Sequence, residues 1–125
     1  MKRKKQSAKE LHTKIRGVTL PEPYTNIPRQ KLIKKYVRKG TELIPYWEKD
    51  NPKDPLAVAL YLVRKPCFIC KKRRYHLGYL GGFPGKLAAT LIEHKTPFRV
   101  IVSSVTGGTR KKPTRGVNLR LIYET

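Results

Sequence analysis

The stretch Glu48-Lys49-Asp50-Asn51-Pro52-Lys53-Asp54-Pro55-Leu56-Ala57-Val58-Ala59-Leu60-Tyr61-Leu62-Val63 divides into two unlike halves. Asp50 to Pro55 reads as a compact turn. Each proline pushes the residue before it away from the helical region, and the Asp and Asn side chains bond nearby backbone. Leu56 to Val63 is a near-continuous apolar run of strand length, as expected for a strand in a core. Upstream, residues 41–47 read as a strand, with Pro45 pushing it toward an edge or a bulge.

Working outward, residues 14–20 suit a short strand, and Pro21, Pro23 and Pro28 make an irregular connection. From residue 29 to 38, Leu32, Ile33, Tyr36 and Val37 form one helical stripe with lysines on the other face, and Gly40 suits the helix end. Residues 64–74 are basic, contain Cys67-Phe68-Ile69-Cys70, and read as a long hairpin loop. Residues 74–80 give another strand, ending at Gly81-Gly82. Residues 86–94 read as a second helix, with Leu87, Ala88, Leu91 and Ile92 on one face. Residues 98–105 and 117–123 alternate as strands and are joined by a basic, Gly-rich loop. Residues 1–13 read as a flexible basic tail and residues 14–125 as one domain. Strands outnumber helices without βαβ alternation. The expected fold is therefore mainly β with two helices, a small OB-like β-barrel of about six strands.

The chain has 125 residues, with 29 Lys plus Arg against 8 Asp plus Glu, a formal net charge of +21. Self-repulsion on that scale points to a polyanionic partner, nucleic acid before an anionic membrane surface. No apolar run approaches the roughly 18–20 residues of a membrane span. The basic start, Met1 to Gln6, is followed by no apolar segment, so no secretory signal is expected. Two cysteines are too few for a disulfide scaffold. The expected location is cytoplasmic or nuclear/nucleoid-associated, with the cysteines reduced. The basic residues cluster in residues 2–16, 29–39, 64–74 and 110–115. Four of the eight acids, Glu42, Glu48, Asp50 and Asp54, fall within thirteen residues.

A single-strand binder needs cations for phosphates and flat groups for bases. Arg29, Lys53, Arg73, Arg74 and Lys86 are the candidate phosphate contacts. Phe68, Tyr75 and Phe83, in or beside basic or Gly-rich loops, are the candidate base stackers, and Tyr79 joins the same DNA-binding set. Asp54 repels phosphate, so its functional use would be to accept from a sugar hydroxyl or a base amino group. Its structural use is to cap the turn by bonding backbone N–H groups near Leu56. Cys67 and Cys70, with His76, are weak metal candidates, because a zinc site usually needs four ligands and no second CxxC exists. Glu48, Asp50 and Asp54 have no partner half for a Mg²⁺ nuclease site. Gly81 to Lys86 lacks P-loop spacing. The expectation is a binding protein without cofactor, not an enzyme. Small size, a basic tail and basic loops equally suit an RNA-associated structural protein such as a small ribosomal component. The Asp-Asn-Pro-Lys-Asp-Pro turn is what a phosphate-coating protein has no need for.

The run from Glu48 to Leu60 resembles the signature of HIRAN domains. His76-Leu77-Gly78-Tyr79-Leu80 followed by Leu87-Ala88-Ala89 resembles that family's second element. Gly17-Val18-Thr19 with Arg29-Gln30 resembles its start, and Val105-Thr106-Gly107-Gly108 with Gly116-Val117-Asn118-Leu119 its end. The likeness spans residues 15–123. It implies an OB-like barrel that binds DNA and captures a single-stranded 3′ end, with a helicase or nuclease as candidate protein partner. It places Asn51 and Asp54 at the terminal nucleotide and its 3′-hydroxyl. Lys53 stands where a member of the family has an aromatic residue. Tyr24 and Arg29 are the nearest matches to that family's aromatic-bearing upstream segment.

Overall fold

The computed structural model describes residues 8–65 and 67–124. Its strands are β1 (Ala8–Arg16), β2 (Glu42–Trp47), β3 (Val58–Arg64), β4 (Arg73–Leu80), β5 (Phe98–Thr106) and β6 (Gly116–Glu124). Helix α1 (Arg29–Tyr36) lies between β1 and β2, and α2 (Gly82–Glu93) between β4 and β5. The strands close into an antiparallel barrel in the order β1-β4-β3-β2-β5-β6, with β6 returning to β1. The expected barrel is present.

The apolar run after the turn becomes β3, where Val58, Ala59 and Leu60 are fully buried. Period-2 alternation elsewhere sends Val100 and Val102 of β5 inward with Val117, Leu119 and Leu121 of β6. The α1 stripe places Leu32 and Ile33 in the same core, and α2 adds Ala88, Ala89 and Leu91.

Two boundaries differ from expectation. Strand β1 begins at Ala8 and pairs with β6 from Ala8 opposite Glu124 to Lys14 opposite Asn118. Residues 8–13 therefore belong to the barrel, not to a tail; residues 1–7 lie outside the described residues. Leu11 and Thr13 continue inward from Ile15 at period 2, but with one apolar residue between them the alternation is faint. Helix α2 begins at Gly82, ahead of the expected residue 86. Pro84 is harmless there, because a first-turn N–H has no helical acceptor to lose.

Candidate nucleic-acid interface

Strand β1 pairs with β4 only at Ile15 opposite Leu80 and Arg16 opposite Tyr79. Among the described residues, the earlier part of β4 has β3 on one side and no strand on the other. At His76 two side chains fill that vacancy. Glu22 Oε2 accepts the His76 N–H at 2.9 Å, and Arg29 Nε donates to the His76 carbonyl at 2.9 Å. Together they supply the acceptor and donor that a neighbouring strand would have offered. Gly78, at φ 140°, sits at the bulge in the β3–β4 ladder, just before β1 joins the other edge of β4. A Cβ there would collide with the Arg16 carbonyl and the Ile15 side chain.

Glu22 is fully buried. Its Oε1 accepts the Tyr24 N–H, the Thr25 N–H and the Thr25 hydroxyl at 2.7–2.9 Å. Burial raises its pKa, but the hydrogen bonds from His76, Thr25 and Tyr24 outweigh that and hold the carboxyl below its ordinary value. Arg29 is 4% exposed and also donates to the Gly17 carbonyl and to His76 Nδ1, at 2.9 and 2.8 Å. A guanidinium only donates, so Nδ1 accepts and the neutral ring carries its proton on Nε2. That nitrogen faces Glu48 Oε2 at 3.3 Å. Burial and the Arg29 charge push the His76 pKa down, against the opposing pull of Glu48.

Glu48 extends the network to the turn. Its Oε1 accepts from the Tyr79 hydroxyl at 2.9 Å and from Asn51 Nδ2 at 3.0 Å. Burial first, and then this bond to Glu48, push the Tyr79 phenol up to about 12. Asn51 Oδ1 accepts the N–H groups of Lys53 and Asp54, and Asp54 Oδ1 accepts that of Leu56 at 2.9 Å. The capping role of Asp54 is thus present, and a carboxylate has acceptor capacity beyond one such bond. Trp47 Nε1 donates to the Pro55 carbonyl at 2.7 Å and pins the turn to β2.

The pH dependence of stability follows from the two depressed pKa values. The unfolded chain binds a proton at His76 below about pH 6.5 and at Glu22 below about pH 4.3, while the folded chain does not until lower pH. Stability is therefore full above about pH 6.5 and falls with acidification, by up to about 1.4 kcal/mol per pH unit for each proton. Denaturant unfolding measured from pH 8 to 4 should show this decline. In His76→Gln the limb that begins near pH 6.5 should vanish; its persistence would assign that limb to another group.

The outer face of β2, β3 and β4 carries a groove of about 780 Å³. Ile44 and Tyr46 of β2, Tyr61 and Val63 of β3 and Arg74 of β4 line it, with Lys72 at one side and Tyr24 reaching in from the Pro-rich connection. The register brings Ile44 opposite Tyr61 and Val63 opposite Arg74. Tyr24 is 73% exposed and Tyr46 61%, so both present ring faces to solvent. Tyr46 and Tyr61 meet edge to face, with centroids 6.4 Å apart. Burial and the neighbouring Tyr24 hydroxyl raise the Tyr61 pKa. No carboxylate lines the groove among the described residues. The Asn51–Asp54 turn connects the two strands, β2 and β3, that floor it.

The residues expected to touch nucleic acid scatter. Arg74 lines the groove. Lys53 and Arg73 are exposed outside it, as are Phe83 and Lys86 on α2. Phe68 projects fully from the β3–β4 loop. Arg29 is removed from the phosphate set, because its N–H groups are spent inside the protein. Tyr75 is removed from the stackers, because it is buried and lies parallel to Tyr36 at 6.3 Å. Tyr79 serves the Glu48 network. Cys67 and Cys70 form a disulfide rather than the expected free thiols. Both ring nitrogens of His76 are engaged, so these three do not assemble as ligands, and no group of three metal-binding side chains gathers among the described residues. Tyr46, Tyr61 and Lys72 were not anticipated. The available signal was the i, i+2 spacing of Ile44 and Tyr46, which puts two large apolar groups on one strand face opposite inward Leu43.

No helix among the described residues is long and apolar enough to cross a membrane. No family model and no curated protein matches the chain. Two solved structures do. A protein from Lactobacillus plantarum is 18% identical over 95% of this chain and 99% of its own, with a TM-score of 0.56. The HIRAN domain of human HLTF is 14% identical over 92% of this chain and 74% of its own, with a TM-score of 0.55. The barrel that carries the tyrosine groove and its Asp-Asn-Pro-Lys-Asp-Pro turn therefore has the fold of the HIRAN domain.

Proposed function

We propose that this protein is a nucleic-acid-binding module, without catalysis, that holds single-stranded DNA in the groove across β2, β3 and β4. The observation that carries this reading is the pairing of solvent-facing tyrosines with Lys72 and Arg74 in one acid-free groove. Unpaired bases stack on such rings, and the cations meet the backbone. The HIRAN-like signature in residues 48–60 supports DNA as the ligand. In this reading the strand runs along the groove toward the turn of the β2–β3 hairpin, and Asp54 there accepts from a free 3′-hydroxyl.

Competitive binding at fixed salt tests this with three oligonucleotides of one sequence: 3′-hydroxyl, 3′-phosphate and circular. The 3′-hydroxyl strand should bind tightest. Equal binding of all three would remove end recognition, and tighter binding of the matching RNA would favour the RNA-associated alternative. Asp54→Asn should lose the 3′-hydroxyl preference, by roughly 1.5–3 kcal/mol for a charged hydrogen bond, while affinity for the 3′-phosphate and circular strands holds or rises. A uniform loss together with a lower melting temperature would reduce Asp54 to its capping role.

A further inference from the structure

A second basic cleft, of about 430 Å³, lies between the C-terminal half of α1 and the β5–β6 end of the barrel. Lys34, Arg38, Lys39 and Arg115 line it, over a floor that includes Ile33 and Val37. Among the described residues, none that lines it is aromatic and none is acidic. Elsewhere acids neutralise their neighbours: Glu42 pairs with Arg99 and Glu10 with Arg120. Among the described residues no salt bridge involves the four cations of this cleft.

The cleft is also held in shape. Gln30 Nε2 donates to the carbonyls of Arg115 and Val18, and its Oε1 accepts the Arg115 N–H at 2.7 Å. One side chain thus bolts α1 to the β5–β6 loop. The Arg115 guanidinium lies against Gly108, an approach that the missing side chain permits, since a Cβ there would meet it. Gly108 has φ 75°, a conformation glycine adopts without strain.

Cations of this kind meet backbone phosphates whatever the sequence, and with no ring beside them the cleft offers no platform for an unpaired base. Base-paired nucleic acid offers them phosphates while its bases stay stacked inside. The groove across β2–β4 has the opposite character, with rings that need unpaired bases. We infer that the cleft between α1 and the β5–β6 loop binds backbone phosphates of a duplex, so that the whole protein prefers a junction between single-stranded and double-stranded DNA. The junction preference rests on the groove reading; duplex binding by the cleft does not.

Fluorescence anisotropy at fixed salt tests this with a duplex bearing a 3′ single-stranded tail, the same single strand alone and a blunt duplex. The tailed duplex should bind about tenfold or more tighter than the single strand, since the second site is engaged within one complex. Lys34→Gln/Arg38→Gln/Lys39→Gln alters three exposed side chains. It should equalise the tailed duplex with the single strand and leave single-strand affinity within about twofold. It should also lower the log–log salt slope for blunt duplex by about 0.9 for each phosphate left without its cation. A retained tailed-duplex advantage in this variant, or none in the wild type, would overturn the inference. Tyr24→Ala/Tyr46→Ala should keep blunt-duplex binding. If wild-type single-strand binding is absent while the triple variant still loses blunt-duplex affinity, the groove reading fails and the cleft stands.

Discussion

Arg29→Met should lower the melting temperature by on the order of 10–20 °C. Methionine can fill much of the space but donates nothing. The carbonyls of Gly17 and His76 and the Nδ1 of His76 would lose their donor together. Fully buried Glu22 would lose a nearby positive charge. Removing one member of a buried, hydrogen-bonded charge set costs roughly 3–5 kcal/mol, because the others stay buried without compensation. For a domain of this size that corresponds to the shift stated. Arg29→Lys restores the charge but not the planar fork that reaches several acceptors at once, so it should recover only part of the loss. Thermal melting followed by circular dichroism measures both variants. Single-strand affinity of the folded fraction should match wild type, because Arg29 does not line the groove. Weakened binding at unchanged stability would return Arg29 to the phosphate-contacting set.

Tyr24→Ala with Tyr46→Ala should have the largest effect on binding. Each base stacked on an aromatic ring contributes roughly 1–3 kcal/mol, so losing two platforms weakens single-strand binding by at least about thirtyfold. The melting temperature should change little, since both side chains are mostly exposed. The salt slope should also hold, because every cation that meets a phosphate is still in place. Lys72→Gln with Arg74→Gln should do the reverse and reduce the slope by about 0.7 for each single-strand phosphate left without its cation. Anisotropy titrations at several salt concentrations separate the two classes. A slope change in the tyrosine variant, or none in the basic one, would mean that the groove is not used as described.

The barrel was legible because its signals are local. The Pro-Asx turn, the apolar run into β3, the α1 stripe and the alternation in β5 and β6 each lie within a dozen residues. The part of β1 from Ala8 to Thr13 was hidden, because its inward alternation, Lys9, Leu11 and Thr13, holds a single apolar residue and its outward one, Ala8, Glu10 and His12, holds no large one, which looks like a tail. The site was less legible for a different reason. Arg29 and Lys72 are alike as sequence, yet one is buried under the Pro-rich connection and the other lines the groove. That choice depends on Glu22 and His76, 54 residues apart, meeting across the β4 edge. Tyr75 and Tyr61 divide similarly: β-strand alternation sends one inward and the other outward, and the bulge between Leu60 and Tyr61 resets the register. The turn itself was found, because its chemistry lies within six consecutive residues.

The Glu22–Arg29 pair at His76 also bears on how this protein avoids meeting itself. An unpaired stretch of strand is a template on which another chain can add a strand, and most β-proteins must protect such edges. Here the edge is occupied by two side chains of the same molecule rather than by a covering strand. Loss of either would leave an amide or carbonyl of β4 open to a peptide from a second copy. The pair that completes the barrel is in this sense also its guard against strand-exchanged aggregates, and a variant weakened there would fail by sticking as well as by melting.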